Sequence, residues 1–107
     1  MIRVLFICGK ARARSPTAAQ IFAGWKGVST DFGGISSDAD DALSADQIDW
    51  ADLILVMERR HTERLRDRFG RQIDGKRIIS LGIRDRYSFM QPELVGELQA
   101  KAGPYLR

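Results

Sequence analysis

The sequence predicts an α/β fold built on a parallel sheet. Three observations carry this. Short apolar runs at 2–7, 53–57 and 77–81 alternate with stretches of helical periodicity. The run Leu53-Ile54-Leu55-Val56-Met57 is apolar on both faces, as a strand lying between two helix layers must be. Gly27, Gly70, Pro16 and Pro92 stand at the boundaries between segments, where chain-breaking residues belong. Strands separated by helices share one sheet through right-handed crossovers, and ligands of such sheets bind beyond the carboxyl ends of the strands.

The elements follow in order. Ile2 to Ile7 form a first strand that runs out at Cys8 and Gly9. Ala18, Ile21, Phe22 and Trp25 recur at helical spacing, so a helix is expected from Pro16 to about Trp25, with Ser15 as its N-cap and Gly27 as its end. Val28 to about Ser36 is a weaker strand interrupted by Gly33-Gly34, and Asp38-Ala39-Asp40-Asp41 is an acidic turn. Ser44, with Gln47 three residues on, has the pattern of a capping box and opens a short helix. After the strand at 53–57, a helix runs from about Arg59 to Phe69 and stops at Gly70. Arg77 to Leu81 form the fourth strand, Gly82 to Met90 a loop, and Pro92 to about Ala102 the last helix, with Leu94, Val95 and Leu98 facing inward.

Composition narrows the class of protein. A chain of 107 residues, 44% hydrophobic and 29% charged, can bury one core, and one domain spanning 1–107 is expected. The single cysteine excludes an intramolecular disulfide framework. With no leader pattern and no long apolar run, a cytoplasmic protein with no membrane segment is expected. The net charge of +3 is interspersed with acids and favours anionic ligands over a committed nucleic-acid surface. Arg59, Arg60, Arg64, Arg66, Arg68 and Arg71 read as a solvated helix face, since no aromatic residues interleave with them to stack bases.

The chemistry concentrates where the first strand ends. Cys8-Gly9-Lys10-Ala11-Arg12-Ala13-Arg14-Ser15-Pro16 is a Cys-x5-Arg-Ser-Pro segment, and it reads as a phosphate-binding loop carrying a thiol nucleophile. A loop of five residues can turn its backbone N–H groups toward one tetrahedral oxyanion, with Cys8 entering from below and Arg14 closing from the side. Amide N–H groups at a helix start, together with Arg14, favour thiolate over thiol. Arg14 can bind two oxygens in a fork while the amides cradle the charge of the transition state. Ser15 can cap the helix or donate to the cysteine sulfur. The bland alternative is a cysteine that only fills space in the core.

At these residues the chain resembles the low-molecular-weight protein tyrosine phosphatases, whose signature is an apolar strand, Cys-x5-Arg-Ser-Pro and a helix. The likeness continues through Trp50 to Glu58, similar to that family's Asp-x-Ile-x-x-Met-Asp strand and exit, and ends at Asp85-Arg86-Tyr87, similar to its late Asp-Pro-Tyr. The resemblance implies a three-layer fold with a four-stranded parallel sheet in the order 2-1-3-4, and hydrolysis through a phosphocysteine intermediate. It makes Cys8, Arg14 and Asp85 the catalytic residues, with Asp85 as general acid and base, and puts Tyr87 at the mouth of the pocket. Asp85 otherwise belongs to the charged string Arg84-Asp85-Arg86, and Tyr87 otherwise packs on the last helix. The implied partners are a phosphorylated protein or small aryl phosphate, with inorganic phosphate as product and inhibitor. No metal or cofactor is implied, and His61 and Cys8 alone make no ligand cluster.

Departures from the family pattern generate further expectations. Lys10-Ala11 replace a Gly-Asn pair, so a left-handed Ala11 would cost about 1–2 kcal/mol. Ala13 replaces a second loop cysteine, leaving an oxidised Cys8 without a neighbour to form a disulfide. Lys10 and Arg12 add positive charge beside the loop, and Asp38, Asp40 and Asp41 fall where an aromatic wall is usual. Ser36 or Ser37 resembles a serine that buttresses the loop, while His61 is expected to be an exposed first-turn residue. Two functions stand beside phosphotyrosine hydrolysis: a non-catalytic phosphate or phosphoprotein-binding module, and a carrier or arsenate-reductase chemistry on a similar loop.

Overall fold

In the computed structural model, which describes residues 1–107, four strands and four helices alternate along the chain. They are β1 (Ile2–Cys8), α1 (Arg14–Phe22), β2 (Val28–Gly34), α2 (Ala45–Trp50), β3 (Leu53–Val56), α3 (Arg59–Phe69), β4 (Arg77–Ser80) and α4 (Pro92–Leu106), with a short 3-10 turn at Gly70–Ile73. The sheet has the order β2-β1-β3-β4 and every pairing is parallel, as the alternation of elements requires. Cys8 pairs with Gly34 and Ile7 with Val56, so β1 carries its last residues to the centre of the carboxyl edge.

Period-two alternation sorts the strands onto two cores. Val4, Phe6 and Cys8 of β1, with Leu53 and Leu55 of β3, face α1 and α4 and meet Ala18, Phe22, Leu94, Leu98, Ala102 and Leu106. Leu5 and Ile7, with Ile54 and Val56, face the other way onto Ile48 of α2, Leu65 of α3 and Ile73. All four residues of β3 are buried, which accounts for its uninterrupted apolar sequence. No helix is long and apolar enough to cross a membrane.

The helix ends report local chemistry. The Ser44 hydroxyl accepts from Gln47 N at 3.2 Å and the Gln47 side chain accepts from Ser44 N at 3.1 Å, the reciprocal capping box expected of these two residues. Gly70 closes α3 with φ +51°, a conformation costly for side chains with a Cβ. Two helices end elsewhere than expected. The helix expected to reach Trp25 ends at Phe22, and Trp25 sits in the following turn with its ring edge-on to Phe22 at 4.7 Å. The last helix, expected to stop near Ala102, runs on to Leu106 through Pro104. Burial of Ala102, Gly103 and Leu106 outweighs the hydrogen bond that Pro104 cannot make, and Gly103 allows the Trp25 ring to lie against the helix.

Phe22 joins these parts, because it is fully buried, stacks on Phe6 with centroids 5.7 Å apart and meets Trp25 edge-on. Phe22→Ala is expected to destabilise the fold by about 3–5 kcal/mol, read as a lowered urea midpoint with little change in slope.

Candidate active site

The segment from Cys8 to Ser15 connects the carboxyl end of β1 to the start of α1. Strand parity turns Cys8 toward the α1 side, and α1 begins at Arg14, so sulfur and helix start meet beneath the loop. Cys8 Sγ lies 3.0 Å from Ser15 Oγ, both buried. The expected N-cap role of Ser15 is therefore corrected. Ser15 is already the second helical residue, Ala13 holds the cap position without a side-chain bond, and the hydroxyl faces the sulfur instead.

Ala11 adopts φ +60°, the left-handed conformation anticipated for it, at a cost of about 1–2 kcal/mol. Backbone bonds from the far side of β2 hold it there. Ile35 N donates to Cys8 O at 2.9 Å, Ser36 N to Gly9 O at 3.0 Å and Asp40 N to Lys10 O at 3.0 Å. Ser36 thus buttresses the loop through its N–H, and neither its hydroxyl nor that of Ser37 bonds to the protein. Gly34 permits this approach, since a Cβ there would lie 2.4 Å from Ala39 Cβ and 2.7 Å from Gly9 O. Lys10 and Arg12 turn outward onto the acidic turn, Lys10 Nζ 2.6 Å from Asp38 and Arg12 Nε 3.3 Å from Asp40. The hydrogen bond and charge of Lys10 hold the Asp38 carboxyl below the usual carboxylate range.

Arg14 is only 2% exposed. Its Nη1 donates to Glu58 Oε2 at 2.7 Å and to the Ile83 carbonyl at 2.8 Å, which uses both hydrogens of that nitrogen. The Nε–Nη2 edge remains for a ligand, with Asp85 Oδ1 3.8 Å from Nε. Burial would raise the Glu58 carboxyl, but hydrogen bonds from Arg14 and then Arg60 outweigh it and hold the group below the usual range. Glu58 stands two residues beyond β3 and Ile83 three beyond β4, so the exits of two strands converge on the guanidinium at the start of α1.

His61 overturns its expectation. It is 1% exposed and lies under the loop, with Nε2 4.0 Å from where a Cβ on Gly9 would stand. Nδ1 accepts from Glu58 N at 3.1 Å, which places the proton on Nε2, a buried nitrogen without a hydrogen-bond partner. Burial, and then the charge of Arg14, push its pKa from 6.5 down to about 4, so His61 is neutral at ordinary pH. The sequence carries a signal for this: His61, Leu65 and Phe69 form an i, i+4, i+8 stripe on an otherwise charged helix.

The loop after β4 brings the last two expected residues to the site. Ile83 N donates to Met57 O, and Met90 N donates to the buried Thr17 hydroxyl at 2.9 Å, so both ends of the loop are tied down. Asp85 is largely exposed at the mouth, and Tyr87 is half-buried with its hydroxyl hydrogen-bonded to Glu97 of α4. Tyr87 therefore both packs on the last helix and faces the opening. A cavity of about 150 Å³ is lined by Cys8, Lys10, Arg12, Ala13, Arg14, Asp85 and Tyr87, with Ala11 and Ser15 buried behind it. Clefts of about 310–430 Å³ occur elsewhere but contain no thiol. No cluster of three or more His, Cys, Asp or Glu side chains capable of holding a metal ion occurs in the structure.

Two measurements probe this architecture. Gly34→Ala is expected to lower stability by about 2–3 kcal/mol and to weaken phosphate binding, because the clash falls on the loop backbone. The second concerns His61. The unfolded chain takes up the imidazole proton near pH 6.5 whereas the folded chain resists until about 4. Stability is therefore full above the first value and falls as pH drops toward the second, by about 3 kcal/mol. Urea titrations of wild type and His61→Gln across that window should show the loss in the former and a flatter profile in the latter.

No protein-family model and no curated protein sequence matches the chain. Solved structures do match in shape. Wzb of Vibrio vulnificus, in complex with benzylphosphonate, superposes with a TM-score of 0.76 at 20% identity, covering 98% of this chain and 97% of that one. SP-PTP, a low molecular weight protein tyrosine phosphatase from Streptococcus pyogenes, gives 0.76 at 15% identity over 99% and 91%. The YwlE arginine phosphatase from Geobacillus stearothermophilus gives 0.68 at 22% identity over 98% and 95%. The chain thus has, over its whole length, the fold of the low-molecular-weight protein tyrosine phosphatases.

Proposed function

We propose that the protein is a phosphomonoesterase of the low-molecular-weight protein tyrosine phosphatase type, acting through a phosphocysteine formed on Cys8. The observation that carries the reading is the convergence of the Cys8 sulfur, the unoccupied edge of the Arg14 guanidinium and the Asp85 carboxyl on one small cavity. In the first step Cys8 Sγ attacks phosphorus, an S–P bond forms, and the P–O bond to the alcohol breaks. Asp85 gives its proton to the departing oxygen. In the second step water attacks phosphorus and yields its proton to Asp85, while the S–P bond breaks and Cys8 leaves as thiolate. Ser15 Oγ, 3.0 Å from the sulfur, donates to that thiolate and eases its departure. The Nε–Nη2 edge of Arg14 grips two phosphoryl oxygens throughout, and no metal enters either step.

The lining favours an aryl phosphate over a phosphoguanidine. Lys10 and Arg12 are paired with Asp38 and Asp40, so Arg14 is the cation that faces the cavity, and its clasp by Glu58 leaves the Nε–Nη2 edge for phosphoryl oxygens. A phenyl ring meets Tyr87 at the mouth, the one aromatic residue in the lining. The structural neighbours include tyrosine phosphatases and an arginine phosphatase alike, so the aryl preference rests on Tyr87 in the lining.

The competing reading is a phosphate-binding module without turnover, favoured by the left-handed Ala11 in place of the usual pair. Hydrolysis of phosphotyrosine and of nitrophenyl phosphate separates the two. Cys8→Ser should abolish turnover while vanadate still binds. Asp85→Asn should lower kcat about 10²–10⁴-fold for phosphotyrosine and less for the better leaving group. Wild type that binds vanadate yet turns over neither ester would establish the module instead.

A further inference from the structure

We propose that the cleft between the start of α3 and the segment after β4 is a second anion subsite. It takes an acidic side chain of a phosphorylated peptide while the phosphoryl group lies over Cys8, an assignment that rests on the phosphatase reading above. The cleft has a volume of about 420 Å³ and is lined by Glu58, Arg59, Ser80, Leu81, Gly82 and Arg84. Arg59 and Arg84 stand exposed on its two sides, and neither side chain makes an ion pair, a hydrogen bond or an aromatic contact.

That freedom sets them apart from the other cations around the mouth. Lys10 is engaged by Asp38, Arg12 by Asp40, Arg14 and Arg60 by Glu58, and Arg86 by Tyr87. Two uncommitted guanidiniums across one concave surface concentrate positive potential there. The Ser80 hydroxyl, also exposed and unbonded, adds a donor. Glu58 is the only carboxylate in the lining, and its Oε2 already accepts from Arg14 and Arg60, so the local balance stays positive.

The cleft is linked to the catalytic cavity by contact and by chain. Glu58 lines the cleft and holds Arg14, while Arg84 adjoins Asp85 in the chain. An extended peptide advances about 3.3 Å per residue, so a side chain one to three residues from the phosphorylated one can reach from the cavity into the cleft. A carboxylate there meets Arg59 and Arg84 in the planar, forked geometry that guanidiniums favour.

The test compares a phosphotyrosyl peptide carrying Glu at the three positions on either side with its Gln counterpart. Wild type should show a kcat/KM about five- to tenfold higher for the Glu peptide, expressed in KM and shrinking as salt rises. The double variant Arg59→Gln/Arg84→Gln should bring the ratio of the two peptides to unity. Equal kcat/KM for the two peptides in wild type, or a ratio that survives the double variant, overturns the subsite. If wild type turns over neither peptide, the phosphatase reading fails, and the same ratio is read from the Kd of each peptide for the Cys8→Ser protein. A ratio of unity there overturns the subsite on its own.

Discussion

The clasp on Arg14 organises the rest of the molecule. A guanidinium removed from water costs several kcal/mol unless its charge and donors are met, and here Glu58 and the Ile83 carbonyl take both hydrogens of Nη1 at 2.7 and 2.8 Å. The three partners come from the start of α1, the end of β3 and the end of β4, which only a parallel sheet delivers to one edge. The clasp also has a direction. By occupying Nη1 it turns the Nε–Nη2 edge toward the cavity, so the residue that welds the strand ends together presents a pre-oriented fork.

The loop above the sulfur is held mainly by backbone. A left-handed alanine persists only where its surroundings over-determine it, and three amide donors from the β2 exit supply that constraint. Gly34 makes the approach possible, and His61 fills the space beneath Gly9. His61 does so with an unpartnered Nε2, a cost tolerated because its Nδ1 caps the Glu58 N–H and so steadies the carboxylate that holds Arg14.

What could be read from the sequence was what depends on near neighbours or on periodicity. β3 was legible because burial on both faces leaves no polar residue, and α2 because its capping box lies within four residues. Cys8, Arg14, Asp85 and Tyr87 were named, and the structure brings all four to one cavity. Of the two roles the sequence allows Ser15, contact with the sulfur holds and the helix cap does not, a choice that needs the strand's parity as well as the helix start. Glu58 was passed over because its partner lies 44 residues away, joined to it only by the pairing of β1 with β3. The charges around His61 dominate the helix and read as exposure, although its stripe with Leu65 and Phe69 marks a buried face.

The charges at the rim have a different task from those at the centre. Lys10–Asp38 and Arg12–Asp40 are exposed pairs screened by salt, so they add little to the backbone bonds that fix the loop. Their effect is on the field. By neutralising the two outer cations they leave Arg14, buried and unscreened, as the dominant positive charge facing an oxyanion. The acidic turn therefore lowers the non-specific attraction of the mouth for anions while sparing the centre. Under the proposed function, recognition then depends on the fit of a phosphoryl group between Cys8 and Arg14, and any preference among phosphoproteins falls to cations outside those pairs.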